Sequence, residues 1–161
     1  RRLPLRGLPL RLTGPGPRHS LSGIADCRKW SKRMYGFNVT IDTPFADAIV
    51  QVTEALKKEG FGVLSDIDVQ ATLKAKLGVD TPAYRILGAC NPQLAHRALG
   101  ADPDVGLLLP CNVIARAEAD GRTTIGFMDP AAILKLADSA ELHQLGQEVR
   151  ARLERVRDSL R

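Results

Sequence analysis

Residues 35–60 contain one strand pattern followed by one helix pattern. Residues 35–41 alternate apolar with small or polar side chains, which predicts a strand with one buried face. Thr43 is placed to cap a helix whose first position is Pro44, and Gly60 is placed to end it. The apolar stripe of that helix consists of Phe45, Ala48, Ile49, Val52 and Leu56.

The next segment repeats this order with a shorter helix. Residues 61–67 predict a second strand, after which Asp68 is a suitable cap for a helix that Gly78 ends. Residues 84–89 predict a third strand.

Two further helices follow from cap and stripe signals. Asn91 followed by Pro92 is typical of a cap and a first helical turn. Residues 142–160 place apolar side chains at steps of three and four, which predicts one long amphipathic helix at the end of the chain.

Between these helices the sequence predicts a β-hairpin. Residues 105–119 and 123–128 are interpreted as two strands, joined at Asp120–Gly121 by a tight primed turn. The consecutive apolar residues at 107–109 favour a strand buried on both faces.

The element order β-α-β-α-β-α-β-β-α-α predicts an α+β fold. We expect a mainly antiparallel sheet with the helices on one face and a long C-terminal helix. The other face of the sheet must be polar or covered, and a second copy of the chain would be a natural cover. We therefore expect a homodimer.

Charge divides the chain at residue 34. The 161 residues include 23 basic and 18 acidic side chains, and nine basic residues and one acid lie in residues 1–33. Residues 34–161 are therefore net acidic, which argues against a nucleic-acid partner. No apolar run is long enough to cross a membrane, so we expect no membrane partner and a cytoplasmic protein.

Residues 1–33 are rich in arginine, proline and glycine, a composition typical of disorder. We expect either a disordered basic leader or upstream sequence read through, with Met34 as the natural start. Residues 34–161 are expected to form a single domain.

The two Cys–Asn dipeptides, Cys90–Asn91 and Cys111–Asn112, are the most unusual local feature. In one interpretation both thiols are small buried hydrophobic groups. In the other, Cys90 is a reactive thiol, because it would lie just before a helix N-terminus, which lowers the pKa of a thiol. A disulfide between Cys90 and Cys111 is a further possibility if their strands are neighbours.

Other candidate chemistry is weaker. His96 and His143 are interpreted as structural or solvated, and without paired Cys/His spacing we predict no metal site. A group of charged residues has two interpretations. It either lines a polar pocket or forms solvated faces and helix caps. The group consists of Asp66, Asp68, Lys74 and Lys76 beside Tyr84 and Arg85. Motifs of nucleotide-binding loops, hydrolases and metalloproteases are absent.

Several segments together resemble one known family. They include Glu59–Leu64, Tyr84–Pro92, Gly106–Val113 and Asp129–Pro130. In these segments the chain from Met34 onward resembles the family called domain of unknown function 302. The resemblance implies a TATA-binding-protein-like α+β fold, commonly dimeric, with no established activity. It points to Lys74, Tyr84, Cys90, Asn91, Pro110 and Cys111.

Three functional hypotheses remain open, and the cofactor is unknown in each. The first is a dimeric module that binds a small ligand, with candidate contacts Lys74, Tyr84, Cys90, Asn91, Cys111 and Asn112. The second is a thiol-dependent enzyme or redox protein that uses Cys90 with Cys111. The third is a structural or protein-interaction subunit.

Overall fold

A five-stranded sheet organises the fold in the computed structural model, which describes residues 35–161. Its strands follow the order β1-β5-β4-β3-β2, and every neighbouring pair is antiparallel. The strands are β1 (Gly36–Ile41), β2 (Gly62–Asp68), β3 (Tyr84–Cys90), β4 (Cys111–Ala117) and β5 (Thr123–Met128). The expectations for residues 1–33 lie outside the described residues.

Helices fill the connections between the strands and the end of the chain. They are α1 (Phe45–Lys58), α2 (Val69–Leu77), α3 (Pro92–Ala101), α4 (Pro130–Ile133) and α5 (Ala140–Ser159). Two short 3-10 helices, Pro103–Leu108 and Leu134–Leu136, complete the described chain. The α+β prediction, with its antiparallel sheet and long C-terminal helix, is confirmed.

The core lies between one face of the sheet and the helices. The sheet contributes alternate residues, such as Leu87, Val113 and Ile125, which are at most 1% exposed. The stripe predicted for the last helix is buried along its whole length, at Leu142, Leu145, Val149, Leu153, Val156 and Leu160. Burial of this stripe, rather than helix propensity, holds α5 in place.

Two of the predicted helix caps are confirmed. Asp68 Oδ1 accepts a hydrogen bond of 2.8 Å from the Ala71 amide, and Asn91 Oδ1 accepts one of 3.2 Å from the Leu94 amide. Each carboxylate or amide oxygen pairs one of the amides that a helix leaves unpaired at its start.

The cap predicted at Thr43 is wrong. Helix α1 begins one residue later than expected, with the extended Pro44 at the cap position and no side-chain cap bond. The carbonyl of Thr43 instead accepts a hydrogen bond of 2.8 Å from the Thr123 hydroxyl, which ties the start of α1 to β5.

The strand predicted from residue 105 is also wrong over its first part. Pro103–Leu108 is a 3-10 helix, because Asp102 caps it through the Asp104 amide at 2.9 Å and Pro103 suits its first turn. Leu107 is 88% exposed, so this segment is not a strand buried on both faces. Strand β4 begins only at Cys111, after the cis Leu109–Pro110 bond.

The turn between β4 and β5 differs from the predicted primed turn. The Glu118 amide donates to the Arg122 carbonyl at 2.9 Å, and the Gly121 amide donates back to the Glu118 carbonyl at 3.2 Å. Gly121 has a φ of 84°, whereas no residue other than glycine has a positive φ in the described chain. A primed type I turn needs positive φ at two central residues, so this connection is a three-residue loop with Gly121 in the left-handed position.

Within residues 35–161, no helix combines the length and the apolar character that a membrane span requires.

Candidate functional site

Both Cys–Asn dipeptides lie at the same end of the sheet. Strands β3 and β4 are neighbours, and Ala89 lies directly opposite Cys111 while Gly88 lies opposite Asn112. The end of β3 and the start of β4 therefore bring Cys90 and Cys111 into one region, although they are 21 positions apart in the sequence.

A small cavity of about 30 Å³ lies at this end of the sheet. It is lined by Phe61, Ala89, Cys90, Asn91, Leu94, Ala95, Ala98, Leu108, Leu109, Cys111, Met128, Pro130, Leu134, Leu145 and Val149. Asn91 is the one amide side chain among these residues, and none of them is charged. The cavity is therefore an apolar space, with room for about two water-sized molecules.

Asn91 joins the cavity to the end of helix α1. Asn91 is only 8% exposed, and its Oδ1 caps α3. Its Nδ2 lies 2.8 Å from the point where a Cβ on Gly60 would stand. Gly60 also has a φ of 82°, so a side chain at this position would be strained and would collide with Asn91.

Burial favours the protonated form of both thiols. Cys111 is 7% exposed, and its burial, together with a smaller contribution from the nearby Cys90 thiolate, raises the pKa of its thiol to about 12. Burial also raises the pKa of the half-buried Cys90 thiol, opposite to the lowering expected from a helix N-terminus. Removing a thiolate from water is unfavourable, so burial favours the protonated form of both thiols.

Strand geometry also opposes a disulfide between the two thiols. The cross-strand neighbour of Cys111 is Ala89, so these two side chains share the face that packs on the helices. Side chains alternate along a strand, which directs Cys90 toward the opposite face. Both cysteines are free thiols in the structure.

Comparison with known proteins identifies the family. The family model described as domain of unknown function DUF302 matches residues 37–160. The chain belongs to the DUF302 family. It is also similar to a solved structure, described as an uncharacterized conserved protein DUF302 from Bacillus stearothermophilus. That chain is 33% identical, with a TM-score of 0.74, and the match covers 80% of this chain and 100% of the other. No curated protein matches the sequence.

Three residues predicted for the site lie elsewhere in the DUF302 domain. Lys74 is on the exposed helix α2, where its ammonium donates to Asp80 at 2.7 Å. Tyr84 begins β3 at the opposite end from Cys90, about 20 Å away along the strand. Asn112 is exposed and does not line the cavity. The structure thus brings together Cys90, Asn91 and Cys111 of the predicted set.

The charged group near α2 forms caps and ion pairs, as the simpler interpretation held. Asp68 caps α2, and the Arg85 guanidinium donates to Asp66 at 2.7 Å and to Asp68 at 3.4 Å. None of these residues lines the cavity at the other end of β3.

The histidines have separate surroundings in the DUF302 domain. His96 is exposed on α3. The His143 ring forms a hydrogen bond with the Ala137 carbonyl, and Nε2 lies 2.8 Å from the carbonyl oxygen. Within residues 35–161, no three His, Cys, Asp or Glu side chains form a group that could hold a metal ion.

Sequence reasoning missed most of the cavity wall. The sequence pattern predicts a strand at Leu108 and Leu109 and a core stripe of the last helix at Leu145 and Val149, whereas all four residues line the cavity. Their apolar character was visible in the sequence, but nothing in it showed that separate segments leave a space between them.

Asp129 supports one side of the cavity. Its Oδ1 accepts a hydrogen bond of 3.0 Å from the Ala131 amide, which caps α4, and its Oδ2 accepts one of 2.8 Å from Arg150 on α5. These bonds hold α4 against α5, and with it Pro130 and the following Leu134, which line the cavity.

Proposed function

We propose that this DUF302 domain is a binding module that takes a small apolar molecule into the cavity beside the two Cys–Asn dipeptides. The observation that carries the proposal is the lining of the cavity, which is apolar except for the thiols and Asn91. Apolar cavities stay dry, so a ligand with little polar surface enters without displacing bound water. Asn91 is the one lining residue whose side chain carries N–H donors, so a ligand with a single acceptor suits this space better than one with several.

The size of the cavity limits the ligand. A volume of 30 Å³ is far below the roughly 150 Å³ that holds benzene in an engineered protein cavity. A ligand of several carbon atoms therefore needs one wall to move. The wall we propose is the end of the 3-10 segment, where Leu108 and Leu109 are half-buried and the neighbouring Leu107 is in solvent.

The same surroundings disfavour the thiol-dependent enzyme. A nucleophilic or redox-active cysteine needs an accessible thiolate near neutral pH. Burial raises the pKa of the Cys90 thiol and raises that of Cys111 to about 12, so both stay protonated. In the proposed function the buried sulfur of Cys111 is an apolar contact surface for the ligand.

The test is a titration with benzene as an apolar probe and glycerol as a polar one, followed by amide NMR of the full chain. We expect benzene to shift amides around the cavity, such as those of Ala89, Leu94 and Cys111, and glycerol to leave them unchanged. Benzene shifts that are scattered over the surface would overturn the proposal.

Two matched variants sharpen this test. Leu108→Ala removes part of the wall and is expected to strengthen benzene binding about tenfold, because the enlarged space accommodates the ring with less displacement of the wall. Leu107→Ala makes the same change one residue away in solvent and should leave binding unchanged. Equal benzene affinity in the two variants would contradict a site at this wall.

A further inference from the structure

Asn91 carries an unpaired hydrogen-bond donor beside the cavity. The residue is 8% exposed and lines the cavity. Its Oδ1 accepts a hydrogen bond of 3.2 Å from the Leu94 amide, which fixes the other end of the side-chain amide as the donor. Within residues 35–161, Nδ2 donates to no protein atom. A donor left without a partner in so buried a residue costs free energy, so it points to an acceptor that the described chain does not supply.

The space beside this donor is open because residue 60 is a glycine. Nδ2 lies 2.8 Å from the point where a Cβ on Gly60 would stand. Apart from Gly60 and its two chain neighbours, Asn91 is the one described residue within 4 Å of that point. Gly60 is itself exposed. An acceptor atom above the Gly60 Cα therefore reaches Nδ2 at hydrogen-bond distance, and it can enter from solvent.

This open space adjoins the cavity. Phe61, which follows Gly60 in the chain, and Asn91 both belong to the cavity wall. The other side chains of the wall are apolar or carry a thiol. A ligand with its acceptor above Gly60 therefore has its remaining atoms beside an apolar space. This arrangement suits a molecule with one polar end and a short apolar tail.

The guanidinium of Arg152 lies next to the same space. Its Nη1 donates to the carbonyl of Glu59, the residue before Gly60, at 3.4 Å, and its Nη2 donates to Glu148 at 3.3 Å. Both distances are long, since charge-assisted N–H···O bonds usually measure about 2.7–2.9 Å. A guanidinium has five N–H donors, and the Arg152 side chain is 33% exposed. Arg152 therefore has donors available for a further acceptor near Gly60.

The charges around Gly60 favour an anion. Glu59 pairs with Arg155 at 2.7 Å, and Glu148 pairs with Arg97 at 2.9 Å. Hydrogen bonds from these two guanidinium groups lower the pKa of both carboxyl groups, so both acids are ionised at neutral pH. Four basic side chains nevertheless outnumber the two acids in this group, which consists of Lys58, Arg97, Arg152 and Arg155 with Glu59 and Glu148. A carboxylate above Gly60 is attracted by this balance, whereas an ammonium group is repelled.

We propose that the ligand of the cavity is a short aliphatic monocarboxylate, with its carboxylate above Gly60 and its tail in the cavity. One carboxylate oxygen accepts a hydrogen bond from Asn91 Nδ2, and the other lies toward the Arg152 guanidinium. This assignment rests on the proposed function, because the tail occupies the same apolar cavity. The cavity volume of about 30 Å³ restricts the tail to a few carbon atoms, even with the movement proposed for the wall at Leu108 and Leu109.

Butyrate and methyl propyl ketone are a matched pair of probes for this assignment. They share the same tail, but the ketone has a methyl group in place of one carboxylate oxygen and carries no charge. We expect butyrate to bind the full chain at least about tenfold more tightly at low ionic strength, because its hydrogen bonds are charge-assisted. Added salt should reduce this difference. In NMR spectra, butyrate should shift the side-chain amide of Asn91 and the backbone amide of Gly60.

Two variants remove the two groups that hold the carboxylate. Asn91→Asp keeps an oxygen that caps α3 but replaces the donor with a carboxylate oxygen, so butyrate binding should weaken at least about tenfold while benzene binding is unchanged. Arg152→Gln should weaken butyrate binding about threefold and leave ketone binding unchanged. Arg122→Gln is the control, because it removes the same charge from the β4–β5 loop, at the opposite end of the sheet from Cys111, and should change neither affinity.

The outcomes separate this assignment from the proposed function. Circular dichroism melting curves identify any variant that fails to fold. Equal affinity of the wild type for butyrate and the ketone overturns the assignment, as does butyrate binding that both folded variants leave intact. If benzene still shifts the cavity amides in either case, the apolar binding module stands and only its ligand class is wrong. If benzene and butyrate both leave the cavity amides unchanged, the proposed function fails together with the assignment.

Discussion

At the scale of single residues, burial governs the chemistry of the cysteines. Cys90 lies before the N-terminus of α3, where the helix dipole favours a thiolate. Burial raises the pKa of this thiol, because the loss of water around the sulfur disfavours the thiolate. The effect is stronger at Cys111, which is nearly enclosed, and whose pKa rises to about 12.

The raised pKa of Cys111 predicts a loss of stability at alkaline pH. Below the ordinary value of 9.0 the thiol is protonated in both the folded and unfolded chain, and the stabilisation is fully present. Between 9.0 and about 12 the unfolded chain releases this proton while the folded chain keeps it, so stability falls as pH rises. Relative to Cys111→Ala, the wild type should lose about 2 kcal/mol between pH 8 and pH 10.5.

Urea unfolding of both proteins at the two pH values measures this difference. The comparison cancels the other groups that titrate in this range, since the variant keeps all of them. Parallel pH curves for wild type and Cys111→Ala would show that Cys111 ionises as freely in the folded protein as in the unfolded one.

At the scale of elements, the crossing of α4 and α5 depends on a glycine in the middle of a helix. Gly146 is buried within α5, and a Cβ there would stand 2.9 Å from the Pro130 carbonyl oxygen and 3.2 Å from the Ala131 Cα. Both contacts are with backbone, which cannot rotate away as a side chain can. The close approach also holds Pro130 at the cavity.

Gly146→Ala is therefore expected to destabilise the fold, although alanine is the better helix former. Alanine should gain up to about 1 kcal/mol from helix propensity but lose more from the collision, for a net loss of about 1–2 kcal/mol. Gly100→Ala on α3 is the control, because a Cβ there meets nothing within 4 Å, and it should stabilise by about 0.5 kcal/mol. Thermal unfolding of both variants checks the opposite signs, and a stabilised Gly146→Ala would contradict the close crossing.

At the scale of the whole molecule, burial is distributed unevenly. Helix α5 buries six residues in the core, whereas α2 buries none. Strand β2 lies at the edge of the sheet, and most of its residues are exposed. The β2–α2 segment is thus attached to the domain mainly through the pairing of β2 with β3, with a few contacts of β2 with α1 and of α2 with β3.

This difference predicts that α2 opens locally without unfolding of the domain. Amide hydrogens of Val69–Leu77 should exchange at least about tenfold faster than those in the centre of α5, after correction for intrinsic rates, because opening α2 exposes little apolar surface. Hydrogen exchange by NMR at neutral pH measures both elements in one sample. Equal protection of α2 and α5 would mean that the segment opens only with the whole domain.

The sequence alone determined the elements whose signals are local. The caps at Asp68 and Asn91 and the apolar stripe of α5 follow from interactions over three or four residues, and the structure has them as predicted. The family also followed from short segments in a fixed order, and the family model confirms it.

Only the tertiary structure decided which residues meet. Leu108 and Val149 line one cavity, and Ile67, Ile86 and Ile114 form one row, because strand register and helix packing join distant segments. The candidate residues Lys74, Tyr84 and Asn112 were chemically plausible, but Lys74 lies on the exposed α2, Tyr84 lies at the other end of β3 from Cys90, and Asn112 is exposed and does not line the cavity. Local sequence patterns determine whether a segment forms a helix or a strand. Which segments become neighbours depends on pairing between residues far apart in the chain, and local patterns in a single sequence do not specify that pairing.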